Sequence, residues 1–288
     1  MLMLPALQKY FVNSELISRL DSALPMQRHD FVFRFMKGRF FTREEAVEAA
    51  QAVGLDIDRA CYAVILCGVA ENWDWPLELS GPPFDRFQEV TGMGEGKLYR
   101  SSSPVNPEIN RNQQSDAAAA DAGVRTFINL ADNDETMKGY EGFADTYYAK
   151  QNIIGLNLGV DFAADDFKAG LAEGFRFIAA NEAPYLVHCT EGKDRAGFVS
   201  AVLEALMGAS AEEITADYMV TYYNYYGVQP GTEQYSVIAA SNIQKSLASA
   251  FGMASIFDGD LKAAAEQYLA GIGLSAEEIA AVQANLGQ

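Results

Sequence analysis

The residues that could do chemistry gather in one stretch, YLVHCTEGKDRAGF, from Tyr185 to Phe198. Cys189 stands directly after an apolar run, and Gly192, Lys193, Asp194 and Arg195 follow it. A glycine lets the backbone turn tightly enough for successive N–H groups to face inward as a nest for a tetrahedral anion. An arginine adds two parallel hydrogen bonds to such an anion. RAGFVSAVLEALMG reads as a helix beginning here, whose unpaired first amides and dipole also favour negative charge. Positive partial charges of this kind favour the thiolate, the form of cysteine that attacks an electrophile. The pattern predicts a cradle for a phosphate ion or phosphoryl group. Its walls are the amides of Thr190, Glu191, Gly192, Lys193 and Asp194 together with Arg195, and Cys189 lies at its base as nucleophile.

Two other readings fit less well. A nucleotide-binding P-loop needs a glycine five positions before Gly192 and a serine or threonine after Lys193; Val187 and Asp194 stand there. A buried cysteine before an ordinary turn leaves the convergence of Gly192, Lys193 and Arg195 without a reason.

The elements around the stretch alternate. KLYRSS reads as a strand, NRNQQSDAAAADAG as a helix ending at Gly123, and VRTFINL as a strand. NIIGLNLGV is another strand, DFKAGLAEGFRFIAAN an amphipathic helix, and YLVHC a short, wholly apolar strand of the buried parallel type. Such alternation predicts an α/β fold with a mainly parallel central sheet flanked by helices, with ligands gathering beyond the carboxyl ends of the strands. The remainder is helical, with capping-box patterns at Ser210/Glu213 and Ser275/Glu278.

Before this region the chain reads as extra N-terminal helices. A capping-box pattern at Thr42/Glu45 opens one that stops at Gly54, and CYAVILCGVA holds Cys61 and Cys67 as core residues. WDWPLELSGPPFDRF is a Pro-rich linker, so the expected division is a helical region over 1–80 and a catalytic domain from Gly81 to the C-terminus, 81–288.

The chain has 288 residues, 49% of them apolar, and a net charge of −18. That charge opposes general binding to nucleic acid or anionic membrane, so a bound phosphate needs a local cradle. Three cysteines without Cys-x-x-Cys spacing and only two histidines argue against a disulfide framework or a metal site. No run reaches the length of a membrane span, and the apolar start, MLMLPALQKYF, lacks a basic lead and a cleavage site. A cytoplasmic protein with no integral membrane segment is expected, which leaves room for secretion without a signal peptide.

His188-Cys189 through Arg195 has the His-Cys-x5-Arg form of the cysteine-dependent protein tyrosine phosphatase superfamily. Within it, Cys-x-x-Gly-Lys-Asp-Arg, LYRSSSP, the strand FINL before an acidic stretch, and YLAGIGLSAEEIAAV resemble a bacterial group. These are the tyrosine and lipid phosphatases related to mycobacterial secreted tyrosine phosphatase B. The resemblance implies a phosphatase fold and hydrolysis of phosphate monoesters through a phosphocysteine, without cofactor or metal. The substrates it implies are phosphotyrosine, phosphoserine or phosphothreonine in proteins, as in dual-specificity enzymes, or phosphoinositides.

By the same resemblance His188 supports the loop, and an Asp on an upstream loop protonates the leaving alcohol. Asp161, 28 residues before Cys189, competes for that role with Asp194 inside the loop, and also with Asp132, Asp134, Asp165 and Asp166. One of the last two is expected to cap the following helix. Lys193 either binds a second anionic group or is a solvated rim lysine. Arg100 contacts substrate, buttresses the site or forms a structural ion pair. The tyrosines of YMVTYYNYYG read as helix packing. Two positions depart from the family pattern: Ala196 replaces the hydroxyl residue that eases sulfur from phosphorus, and Ala131 replaces an arginine. Ala196 keeps open a catalytically weak, phosphate-binding pseudophosphatase.

Overall fold

The computed structural model describes residues 91–226 and 228–287. The expected helix at Thr42, Cys61 and Cys67, the Pro-rich linker and the boundary at Gly81 lie outside the described residues. The chain divides into two units, one of residues 76–221 with 231–288, and one to which 222–230 belong. All that follows concerns the first, apart from the end of one helix.

In chain order the main elements are β1 (Leu98–Ser101), α1 (Asn112–Asp121), β2 (Thr126–Asn129), α2 (Asp134–Gly139), β3 (Asn152–Gly155), α3 (Asp165–Ala180), β4 (Tyr185–His188) and α4 (Asp194–Met207). They continue as α5 (Ala211–Tyr226), α6 (Glu233–Ala239), a π segment (Ala240–Gln244), α7 (Lys245–Phe251), α8 (Leu261–Gly271) and α9 (Ala276–Leu286). The sheet is parallel throughout, in the order β1-β4-β2-β3. Strand β4 is therefore internal, pairing Tyr185 with Leu98 on one side and with Thr126 on the other. Its burial on both faces is why YLVH is apolar without alternation.

Helix α3 buries Phe167, Leu171, Phe175 and Ile178, the three- and four-residue steps of one helical face. It packs against α9. Helix α4 is different: every residue from Ala196 to Leu206 is buried. It packs on β4, β1, α8 and α9, which makes it a central helix and explains a sequence apolar nearly all round. Both predicted capping boxes form, Ser210 with Glu213 and Ser275 with Glu278.

One strand is shorter than expected. NIIGLNLGV pairs with β2 only through Gly155. Beyond it Leu156 N–H donates to the Asn129 carbonyl and Leu158 N–H to that of Leu130, and Asn157 takes a left-handed conformation (φ 46°). That turn ends the strand and sends the chain across the carboxyl end of the sheet. Among the described residues no helix is long and apolar enough to cross a membrane.

Candidate active site

Strand β4 delivers Cys189 to the carboxyl edge of the sheet, where it is 3% exposed. The chain leaves the edge through Thr190 to Lys193 and enters α4 at Asp194. Gly192 has φ 71°, and a Cβ there would collide with the Ser101 carbonyl and lie 2.7 Å from the Ser102 nitrogen. The glycine is required twice, by its left-handed backbone and by this close approach. The segment leaving β1 therefore packs directly on the loop. It ties it further through Ser103 N–H, which donates to the Thr190 carbonyl at 3.2 Å. No side chain caps the first turn of α4, so its amides and dipole present positive potential beside the loop.

Arg195 holds the loop to a neighbouring one. Its Nη1 donates to the Leu158 carbonyl at 3.0 Å and its Nη2 to Thr190 Oγ1 at 3.3 Å. Arg100 does something else. It is 1% exposed, with Nη1 donating to the Gly192 carbonyl (2.8 Å) and Thr221 Oγ1 (2.6 Å), and Nη2 to the Asp217 carbonyl (2.8 Å) and Asp217 Oδ2 (3.0 Å). Of the three roles open to it, this geometry is that of a buttress built on an ion pair. Lys193 is mostly covered, its Nζ 3.0 Å from Glu191 Oε2 and 3.7 Å from Asp194 Oδ2, so it is not a fully solvated rim lysine.

His188 is wholly buried, with Nε2 3.1 Å from the Tyr148 hydroxyl. Burial pulls its imidazole down to about 3 against the raising effect of the Cys189 backbone, so the ring is neutral at neutral pH. Tyr148 in turn meets Asn129 Nδ2 at 3.3 Å, and Asn129 bonds Asp132, whose Oδ1 accepts from Tyr140 (2.9 Å). The sequence reading missed Asn129, Tyr140 and Tyr148. Only the polar residue ending an apolar strand could have pointed to the first.

The candidate acids sit differently. Asp132 is 5% exposed and engaged in that network, while Asp134 is exposed and pairs with Lys138. Asp165 and Asp166 lie in the first turn of α3. Ala164 occupies the N-cap position and gives no side-chain cap. Asp166 Oδ1 accepts from the Phe167 N–H at 2.8 Å, so one of the two takes up a first-turn amide from inside the helix and not from the N-cap position expected. Asp161 is exposed, its Oδ1 accepting from Ala163 N–H at 3.0 Å. Asp194 keeps about half of its side chain in contact with solvent, yet desolvation by the loop lifts its carboxyl above the ordinary range, against the lowering effect of Lys193. Ala196 is fully buried, and Ala131 N–H is taken by Asn129 Oδ1 (2.9 Å). Tyr218 packs on α4, its ring 2.7 Å from where a Cβ on Gly197 would lie, which is the packing role read for that tyrosine.

A parallel sheet whose internal strand ends in a cysteine, followed by a glycine-bent loop and an arginine at a helix start, is the framework of a phosphatase. Residues 86–288 match the tyrosine phosphatase family, and the chain belongs to it. No individually curated protein matches the chain.

The crowding at Gly192 can be measured. Gly192→Ala should destabilise the protein by more than about 1–2 kcal/mol, the cost of a left-handed alanine, because steric overlap is added. Gly123→Ala, also at positive φ (65°) but with nothing within 4 Å, should cost no more than that amount; urea unfolding compares the two. Asp194 binds its proton more tightly folded than unfolded. Its favourable contribution is therefore complete below the ordinary carboxylate pKa and is lost as pH rises through the raised one. Asp194→Asn should flatten the fall in stability across that window, measured as urea midpoints from pH 4 to 7.

Proposed function

We propose that this phosphatase acts through Cys189, with the catalytic chemistry carried by the segment from Gly81 onward. The sulfur attacks phosphorus as the P–O bond to the alcohol breaks, and the leaving oxygen takes a proton from a carboxylic acid. Water then attacks phosphorus as the S–P bond breaks and gives a proton to the carboxylate left by the first step, so that phosphate is released and both the thiolate and the acid are restored. Arg195 and the amides of Thr190 to Asp194 stabilise the charge on the transferring group, which is where most of the rate acceleration in such chemistry arises. The observation that carries this reading is the loop. Gly192 is bent and pressed against Ser101 and Ser102, so that Cys189 and Arg195 are held at its two ends.

The neutral, buried His188 fits a positioning residue bonded to Tyr148, not a proton carrier. The raised Asp194 carboxyl supports Asp194 as the acid, since a donor must be protonated at working pH. Asp161 is supported by its place three residues after Leu158, whose carbonyl Arg195 holds. Phosphotyrosine is the substrate proposed first, with phosphoserine, phosphothreonine and phosphoinositides within reach of the same chemistry. Lys193 is held by Glu191 and must leave it to meet a second anionic group. Ala196 favours a second reading, a weak or inactive phosphate-binding module, because no hydroxyl is placed there to help sulfur depart.

Steady phosphate release from an aryl phosphate should be seen and should vanish in Cys189→Ser; no release from any monoester would sink the enzyme reading. On poor leaving groups the variant lacking the true acid, Asp194→Asn or Asp161→Asn, should lose about 10²–10⁴ in rate, while the other keeps its activity. Rapid mixing should show a product burst followed by slow turnover, and Ala196→Thr should raise the steady rate. No burst and no gain would mean that sulfur departs without that hydroxyl.

A further inference from the structure

A second cationic site lies along the loop that Arg195 holds. Two residues beyond Leu158, at most about 7 Å of extended chain, the loop becomes one wall of a cleft of about 400 Å³. Across from Val160–Ala163 the cleft is lined by Lys168 of α3, by Lys245, Ser246 and Ser249 of α7, and by Tyr268 of α8. The loop is fixed there because Phe162 stacks on Phe198 of α4, with ring centroids 4.2 Å apart.

The charges in this cleft are unusual for the chain. The protein carries 39 acidic and 21 basic residues, yet two lysines line this cleft against one carboxylate. No ion pair is formed by Lys245 among the described residues, and Lys168 has only the fully exposed Asp165 at 4.0 Å. The Tyr268 hydroxyl is buried without a hydrogen-bond partner, although the residue lines the cleft and is 9% exposed. A buried, unsatisfied hydroxyl on the wall of a cleft is costly unless something occupies it. Lys245 and Ser249 stand four apart on one face of α7, immediately after the π segment, an irregularity found frequently at functional sites. The single opposing charge is Asp161 at the lip, with one oxygen turned to Ala163 N–H.

We propose that this cleft binds a phosphoryl group additional to the one in the Cys189 loop, through Lys168, Lys245, Ser246, Ser249 and Tyr268. Two ammonium groups and three hydroxyls offer more donors than a carboxylate takes and suit the oxygens of a tetrahedral dianion. The group is borne either by a substrate carrying two phosphoryl groups or by free phosphate. The first source rests on the phosphatase reading above; the second does not.

Calorimetry with inorganic phosphate on the full chain tests the site itself. Two ions should bind per chain, one lost in Arg195→Ala and the other in Lys245→Met, with Lys245→Arg retaining it. One ion, lost only in Arg195→Ala, or a second ion indifferent to Lys245 and Lys168, overturns the site while leaving the loop intact. Kinetics then separate the sources. For a substrate-borne group, Lys245→Met should lower kcat/KM on a bisphosphorylated aryl substrate about tenfold more than on its monophosphorylated counterpart. An unchanged ratio with the calorimetric site present assigns the cleft to free phosphate. Absence of hydrolysis of either substrate removes the phosphatase reading and leaves the phosphate titration to decide the site.

Discussion

A buried guanidinium sets the position of everything around Cys189. Arg100 lies on β1, and its charge is met by Asp217 of α5 at 3.0 Å and by the Gly192 carbonyl at 2.8 Å. A charge this deeply buried is tolerable when it is paired and hydrogen-bonded, as both terminal nitrogens are here, and removing one partner leaves an uncompensated ion. The loop carbonyl is one of those partners. Moving the loop outward would strip a bond from a buried cation, so the bend at Gly192 is fixed by the same interaction that joins the sheet edge to α5. The close approach of Gly192 to Ser101 and Ser102 adds a steric limit to the electrostatic one.

This arrangement separates the local field from the global one. The chain is strongly acidic, yet the loop faces the first turn of a central helix and carries Lys193 and Arg195. Potential at short range is decided by nearby dipoles and charges, because distant surface charges are screened over about 8–10 Å at ordinary salt. Glu191 and Asp194 both pair with Lys193, and desolvation makes Asp194 hold its proton more tightly, so one of the two carboxylates facing the loop's cations gives up its proton reluctantly.

The other side of the loop is held by a hydrogen-bonded network that begins at an uncharged imidazole. His188 is neutral because it is buried, and Tyr148, Asn129, Asp132 and Tyr140 continue from it as a hydrogen-bonded chain beneath the carboxyl edge of the sheet. Phe127 packs edge-on against Tyr148, with centroids 4.7 Å apart, and closes the network off on that side. A buried network of this kind rigidifies a site, since each member loses a bond if another moves.

Local information determined much of this protein. The apolar YLVH, the helical spacing of α3 and the two capping boxes are decided by residues within a few positions of one another, and each appears where the sequence places it. The same holds for the order strand, cysteine, glycine bend, arginine and helix, which chain geometry imposes at short range. What the sequence left open depended on contacts between distant segments. The role of Arg100 required Asp217, 117 residues away, and Gly192, 92 away. The raised carboxyl of Asp194, the neutrality of His188 and the early end of β3 at Gly155 likewise follow from burial and cross-strand bonding. Desolvation and long-range pairing are properties of the assembled core, so only the tertiary structure could decide which of several suitable side chains faces the loop, which braces it and which lines the cleft beside it.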